Sequence, residues 1–230
     1  MSNLKNILII KEPLAPSKEQ HSIIPNQFIW RTEKQFIGNS SIVIADIQEA
    51  IWWNRPLKSE AMCKLEDDGL YSYNLPFWQR DKEQLVFKTG YNVLLNKNSI
   101  PIAIHIQTDE TCGDEHLQLL KNMLSDCLHS TLIKLGVNAA ALTYNGNDMY
   151  FENRKFACSE QIFEDNVFTQ NTIVTLLASP EKDLFDRLTG KYAHAKTITG
   201  IAEEVPTVTK ETFIDTLYKN LQDYINTNFS

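Results

Sequence analysis

The sequence has no hydrophobic run long enough to cross a bilayer, and it has few residues that crosslink or interrupt a chain. Its 230 residues include only eight glycines, eight prolines and four cysteines. Near the amino terminus, the apolar run Ile7–Ile10 is shorter than a signal-peptide core and far shorter than a membrane span. We therefore expect a cytoplasmic protein with no membrane partner, no repeats and no low-complexity tract.

Metal-binding and redox motifs are missing too. The four cysteines contain no Cys-x-x-Cys pair, and the five histidines show no His-Glu-x-x-His spacing. This excludes the usual zinc and thioredoxin-like signatures and predicts reduced thiols. We interpret Cys158 as a small buried residue on the sheet face opposite Lys155, because an odd spacing along a strand reverses the face.

Basic residues are in deficit. The chain has 22 lysines and arginines against 29 acidic residues, a net charge of −7. This charge opposes non-specific adhesion to nucleic acids or anionic membranes, so a nucleic-acid partner is not expected. A local basic pocket remains compatible with it.

What is present is the composition of an ordinary globular protein, with 43% hydrophobic and 22% charged residues. We expect one domain spanning residues 1–230, of α+β class, with a mixed or antiparallel sheet flanked by helices. Helices are predicted at Glu115–Leu135, after the Ser179-Pro180-Glu181 start, and after a Thr209 cap. The predicted strands are Leu4–Ile10, Gln27–Trp30, Ile42–Ile47, Gln84–Phe87, Tyr91–Leu95, Ile100–Ile106, Met149–Phe151 and Thr172–Leu177.

An irregular, aromatic-rich segment at about residues 50–80 shows no sustained period. It fits either a long ordered loop with its own aromatic cluster or a lid over an apolar ligand.

The segment from Tyr144 to Ser159 combines residues that suit phosphate chemistry. Gly146, Asn147 and Asp148 form a predicted turn that offers a carboxylate and a carboxamide, and Lys155 begins the returning strand. A carboxylate can hold Mg²⁺, and a lysine on the neighbouring strand can contact a phosphate. The same residues also fit plain hairpin punctuation followed by a solvated lysine, and composition favours that simpler interpretation.

The second half of the chain resembles the lipoate-protein ligase family of the biotin and lipoate ligase superfamily. That family carries a Gly-x-Asn-Asp turn, a short hairpin and an Arg-Lys-(apolar)-x-Gly-Ser strand. The matching residues here are Gly146, Asn147, Asp148, Arg154, Lys155, Phe156 and Ser159. Further similarities are Leu135-Gly136-Val137, Thr172 in a downstream strand, Ile198-Thr199-Gly200-Ile201, and Phe28-Ile29-Trp30-Arg31.

The resemblance implies a ligase-type catalytic domain that activates lipoate or octanoate with ATP and passes the acyl group to a lysine of a lipoyl-type carrier domain. By position, Lys155 would be the catalytic cation, and Asp148 would bind Mg²⁺. The resemblance implies a substrate or nucleotide site made of Lys88, Thr89, Gly90, Asn92, Gly146, Asn147, Asp148, Phe156, Ser159 and Thr172.

The sequence departs from the family in its glycine-rich ligand loop. The best placement of that loop is Val86–Leu94, which keeps Gly90 but has side chains at Tyr91 and Asn92. Cys158 also replaces the glycine of the lysine strand. Two interpretations stay open: a divergent acyl ligase or acyltransferase that uses Lys155, and a catalytically lapsed domain that serves as a binding or regulatory module, for example beside a partner ligase.

Overall fold

The computed structural model describes residues 7–14, 40–47, 52–53, 78–81, 84–87, 94–95, 98–108, 112–145, 148–164, 166–177 and 199–229. The strands are β1 (Leu8–Leu14), β2 (Ser41–Ile47), β3 (Trp52–Trp53), β4 (Trp78–Asp81), β5 (Gln84–Phe87), β6 (Leu94–Leu95), β7 (Ser99–Gln107), β8 (Leu142–Asn145), β9 (Asp148–Phe151), β10 (Arg154–Glu164) and β11 (Val167–Thr175). The α-helices are α1 (Asp114–Lys134), the short α2 (Ile201–Glu204) and α3 (Lys210–Asn228).

Seven strands form one mixed sheet in the order β1-β2-β7-β11-β10-β9-β8. Strands β1 and β2 are parallel, and every other neighbouring pair in this sheet is antiparallel. Strands β3 and β6 pair with each other, as do β4 and β5. The sheet and its helices confirm the expected α+β class.

Helices α1 and α3 pack on one face of the large sheet, and this interface is the core. Strand β7 contributes four isoleucines at alternate positions, and helix α3 contributes Phe213, Leu217 and Leu221, all at most 1% exposed. Burying one such side chain contributes roughly 1.5–3 kcal/mol, so this layer provides much of the folding free energy. The isoleucines are Ile100, Ile102, Ile104 and Ile106.

On the second face of the sheet, the burial of the side chains changes from the centre to the β8 edge. At its centre, Val43 of β2 pairs with Ala103 of β7, and both are buried. Towards the β8 edge, Tyr150 and Lys155 are half-buried and Cys158 is exposed. Polar side chains on this face therefore include Tyr150 and Lys155 near the β8 edge, and Thr169 and Asn171 of β11 beside the buried centre.

The predicted long helices are confirmed. Helix α1 covers the predicted stretch to within a residue at each end, and Gly136 follows it at a φ of +97°, which favours glycine. The Thr209 side chain accepts a hydrogen bond from the Thr212 N–H at 3.1 Å, as its predicted cap role requires. Neither helix, nor any other in the described part of the chain, is long and apolar enough to span a bilayer.

The first strand was predicted at Leu4–Ile10, but it runs from Leu8 to Leu14. The strand continues through Pro13 because β1 is the edge strand and pairs with β2 alone. On its outer side there is no further strand whose hydrogen bonds the missing proline N–H would interrupt. Pro101 is tolerated for a related reason, since the β2 ladder on β7 begins only at Ile102. The predicted strand at Gln27–Trp30, the helix starting at Ser179 and most of the aromatic segment lie outside the described residues.

A buried polar contact links the two long helices. Asn220 of α3 donates from Nδ2 to Thr131 Oγ1 of α1 at 2.8 Å, and the Cys127 thiol donates to the Asn220 carbonyl at 3.5 Å. Burial raises the pKa of Cys127 to about 12. The negative charges of Asp126 and Asp223 also raise this pKa, and the positive charge of Lys134 lowers it. The thiol is therefore neutral in the folded protein.

This thiol predicts a loss of stability at high pH. The unfolded thiol ionises near its ordinary pKa of 9.0 and the folded thiol only near about 12, so the free energy of unfolding falls as the pH rises through this window. We expect Cys127→Ala to show a shallower fall in urea titrations across the window. Tyrosines also ionise at high pH, but they are the same in the wild type and in Cys127→Ala. Equal slopes for the two proteins would therefore contradict the assignment of this effect to Cys127.

Candidate active site

The β9–β10 hairpin positions the residues that the sequence indicated. Its turn consists of Glu152 and Asn153, and Glu152 adopts a positive φ of 53°. Across the hairpin Lys155 pairs with Tyr150, but the next pair joins Ala157 to Met149. Strand β10 therefore contains one extra residue, Phe156, which forms a β-bulge.

The bulge changes which side chains share a face. Phe156 is buried and stacks against Phe151 with ring centroids 4.3 Å apart. Because one residue is extra, alternation restarts after it, and Cys158 lies on the same face as Lys155. The structure also leaves Cys158 exposed. The expectation of a buried residue on the opposite face was therefore wrong.

Lys155 lies on the partly exposed face, between two polar partners. Its ammonium forms an ion pair with the Asp148 carboxylate and lies 5.6 Å from the centre of the Tyr150 ring. The Lys155 side chain is 38% exposed and that of Asp148 is 26% exposed, so solvent screens the pair only in part. The ammonium is thus fixed in position by a charge and an aromatic ring.

The ion pair also fixes the charge of Lys155. Partial burial acts to lower its pKa, but the hydrogen bond and charge of Asp148 outweigh burial and raise the pKa above its ordinary value of 10.5. The ammonium form therefore persists at neutral pH, and this stabilisation is lost only as the pH rises through the raised pKa. Such a lysine can attract an anion, and its protonation at neutral pH disfavours a role as base or nucleophile.

A second segment, residues 199–204, docks beside the start of β10. The Thr199 N–H donates to the Lys155 carbonyl at 2.9 Å. The Arg154 guanidinium contacts the Glu204 carboxylate at 2.6 Å, and the Thr199 hydroxyl donates to the same carboxylate at 2.8 Å. These contacts hold the backbone of Lys155 from the side opposite β9. Sequence reasoning did not find Glu204, since nothing local pairs it with Arg154.

Three of the predicted site residues lie elsewhere. Phe156 is in the hydrophobic core, and the hydroxyls of Ser159 and Thr172 lie 2.6 Å apart on the face that α1 covers. The sheet separates their side chains from that of Lys155, and their role in binding substrate or nucleotide stays a prediction. For Ser159 the bulge is the reason, because it shifts the alternation of β10.

The other predicted site residues lie outside the described part of the chain: Gly146, Asn147, Lys88, Thr89, Gly90 and Asn92. Asp148 is described, and in the described ranges no cluster of three or more metal-ligating side chains surrounds it. Its role as a Mg²⁺ ligand stays a prediction. The carboxylate oxygens suit a hard cation, which would compete with Lys155 for them.

Comparison with known proteins shows similarity in structure alone. No protein-family model and no curated protein matches this sequence. A lipoate-protein ligase A bound with ATP matches over 96% of this chain and 85% of its own, with a TM-score of 0.61 and 9% identity. A putative lipoate protein ligase from T. acidophilum with bound lipoic acid matches over the same shares, with a TM-score of 0.62 and 10% identity.

A third solved structure comes from a T. acidophilum lipoylation system, described as a bi-partite lipoate protein ligase and its E2 lipoyl domain. It matches over 96% of this chain and 83% of its own, with a TM-score of 0.61 and 10% identity. The chain thus has the fold of the lipoate-protein ligase catalytic domain. This confirms the resemblance indicated by the sequence at the level of fold.

Close packing at Gly200 gives a prediction about the docked segment. A Cβ on Gly200 would lie 2.4 Å from the Leu176 carbonyl oxygen, inside van der Waals contact with backbone. We expect Gly200→Ala to lower the free energy of unfolding by about 1–3 kcal/mol, the usual cost of overpacking.

Gly113→Ala is the matched control for this substitution. Gly113 is likewise the residue before a helix, and no atom lies within 4 Å of its added Cβ. Both variants change the same N-cap preference, so their difference in chemical denaturation isolates the clash. Equal destabilisation would show that residues 199–204 do not pack against Leu176 as described.

Proposed function

We propose that this chain is a divergent lipoate-protein ligase that transfers a lipoyl or octanoyl group to a lysine of a carrier domain through an acyl-adenylate. The observation that carries the proposal is the fixed Lys155 ammonium on the partly exposed face of a ligase-fold sheet. The similarity in fold to ligases solved with ATP and with lipoic acid supports the choice of substrates.

The first step joins the acyl carboxylate to the nucleotide. A carboxylate oxygen attacks the α-phosphorus of ATP, a new O–P bond forms, and pyrophosphate leaves. Negative charge then accumulates on the phosphorus oxygens. A fixed cation aimed there stabilises the transition state more than the ground state, which is the role we assign to Lys155.

In the second step, the carrier lysine attacks the acyl carbonyl as a free amine. An amide bond forms, the acyl C–O bond to the phosphate breaks, AMP leaves, and the proton lost by the amine passes to solvent. Its raised pKa keeps Lys155 protonated at neutral pH and so disfavours Lys155 itself as the acyl acceptor. An ammonium has no lone pair for attack, so its contribution is electrostatic.

We assign Asp148 two states in this scheme. Without ligand it pairs with Lys155 and holds the ammonium against the Tyr150 ring. When a triphosphate arrives, its oxygens compete for the ammonium, and the carboxylate becomes available as an oxygen ligand for the Mg²⁺ that accompanies ATP. When bound, Mg²⁺ would neutralise part of the charge of the phosphates.

The proposed partner is a lipoyl-type carrier domain, as in the T. acidophilum system. Such domains are generally acidic, so docking needs a basic face on this acidic chain. Four basic residues of the second half of the chain are candidates for this face: Arg154, Lys155, Lys191 and Lys196. Arg154 is already paired with Glu204 and Lys155 with Asp148, and the two other lysines lie outside the described residues.

The alternative is a lapsed ligase that binds a ligand or a partner ligase without catalysis. One observation favours it: Cys158, on the same face as Lys155, replaces the glycine of the resembling family. Its side chain adds volume where a backbone could otherwise approach a ligand closely. The two functions differ in whether Lys155 supports turnover.

Substitution of Lys155 separates them. With ATP, Mg²⁺, octanoate or lipoate, and an apo carrier domain, we expect the wild-type protein to acylate the carrier and Lys155→Ala to lose at least a hundredfold in rate, measured by intact mass. Loss of the transition-state cation is the reason. If the wild type neither modifies the carrier nor binds ATP by calorimetry, the lapsed-ligase alternative holds.

Lys11→Ala is a matched control for that loss. Lys11 also pairs with an aspartate, Asp215, and its ammonium lies 4.6 Å from the centre of a tyrosine ring, that of Tyr218. It lies on the edge strand β1 rather than on the hairpin. Its removal should leave the rate unchanged. An equal loss in both variants would indicate general damage to the protein.

Cys158→Gly tests whether the thiol side chain restricts the site. We expect this variant to bind ATP more tightly, by about threefold or more in Kd, because it removes the side chain that narrows the approach to Lys155. Calorimetry measures the affinity, and Cys158→Ala should give an intermediate value. Unchanged affinity in both variants would place the nucleotide away from this strand.

A further inference from the structure

The opposite face of the sheet carries a polar cavity under helix α1. Its volume is about 190 Å³, and it lies between α1 and strands β8 to β11. Helix α1 contributes Gln118, Asn122 and Ser125, and the sheet contributes Gln161 and Gln170. A polar pocket is unusual here, because the neighbouring residues of β7 in the same layer are buried isoleucines.

Gln170 lines this cavity, and one atom of its carboxamide, Oε1, lacks a hydrogen-bond partner. Its side chain is 3% exposed, and Nε2 donates to Thr172 Oγ1 at 3.3 Å. The Thr172 hydroxyl is in turn 2.6 Å from that of Ser159. The Gln170 Oε1 atom is buried without any hydrogen bond. Buried polar atoms are almost always hydrogen-bonded, so an orphaned acceptor beside a cavity indicates a missing donor.

The chemistry of the lining narrows the ligand. Carboxamides and hydroxyls supply its polar groups, and the one charged residue in the lining, Lys121, is exposed at the rim. The Lys121 carbonyl is already engaged, since it accepts from Gln161 Nε2 at 2.8 Å. No acidic residue lines the cavity among the described residues. A neutral ligand therefore fits better than a cation.

The shape of the cavity favours a small ring. Leu124, Leu128 and Met149 form an apolar wall beside the polar groups. Cavities of roughly 150 Å³ admit a ring the size of benzene. A carboxamide such as that of Gln170 pairs best with a group that has a donor next to an acceptor. A ligand with an amide edge offers an N–H donor beside a carbonyl acceptor. Such an edge pairs with the Gln170 carboxamide in either orientation of that side chain.

We propose that this cavity binds a small neutral cyclic amide, of the pyrimidine-base or lactam type, with its N–H on Gln170 Oε1. The ring lies against the apolar wall, and the adjacent carbonyl accepts from a carboxamide of the lining. This site is separate from the Lys155 face, and it does not depend on the function proposed for that face.

Titration with uracil and δ-valerolactam tests this site, with 1,3-dimethyluracil as the matched control. The control keeps the uracil ring but has no N–H donor. By calorimetry and amide NMR, we expect saturable binding of at least one amide, with shifts centred on the Gln161 and Gln170 side chains, and at least tenfold weaker binding of the control. Equal binding of the control, or no binding of either amide at millimolar concentration, would overturn the proposal.

Three variants complete the test. Gln170→Leu should abolish binding and raise the melting temperature, because it removes a buried unpartnered atom. Ser125→Leu blocks the cavity from the helix side without touching Gln170 and should also abolish binding. Asn171→Ala, one position along β11 and therefore on the other face, should bind as the wild type does. If Gln170→Leu and Ser125→Leu both retain wild-type affinity, the ligand binds elsewhere and the proposal fails.

Discussion

The ion pair between Lys155 and Asp148 depends on a β-hairpin with one residue more in its second strand than in its first. The tight turn at Glu152 and Asn153 pairs Lys155 with Tyr150 and brings Asp148 within reach. The extra residue, Phe156, turns into the core and anchors the hairpin against Phe151. The charged pair is thus fixed by apolar packing on the other side of the same strand.

The two faces of the sheet differ chemically, and the bulge decides which residues of β10 belong to each. On one face, Lys155, Asp148, Tyr150 and Cys158 form a partly exposed polar group suited to an anionic ligand. On the other, Ser159, Thr172 and Gln170 form a neutral polar group covered by α1. One strand, β10, contributes to both faces. Residues that a motif places side by side in sequence can therefore belong to separate sites.

Much of the fold could be predicted from the sequence, because its signals are local. The 3.6-residue period gave α1 with its Gly136 end, and the Thr209 cap gave α3. The motif around Gly146–Ser159 indicated the ligase fold, which the similarity to solved ligases confirms. The strand patterns could not reveal the extent of β1, because the tolerance of Pro13 depends on its being at an edge.

The site was harder to predict, because it depends on contacts between distant residues. Strict alternation placed Cys158 on the wrong face, and only the cross-strand register shows the bulge. Glu204 lies fifty positions from Arg154, so no local pattern connects them. Gln170 alternates with Phe168, Thr172 and Val174 on a buried face, which marks it as buried. Its unpartnered oxygen appears only once α1 and β10 are in place.

A crystal structure of the protein with a non-hydrolysable octanoyl-adenylate analogue tests the role of Lys155 most directly. We expect Lys155 Nζ to leave Asp148 and to lie within hydrogen-bond distance of the group that replaces the α-phosphate, on the face that carries Tyr150 and Cys158. An analogue bound away from this face, with the Lys155–Asp148 pair intact, would contradict this role.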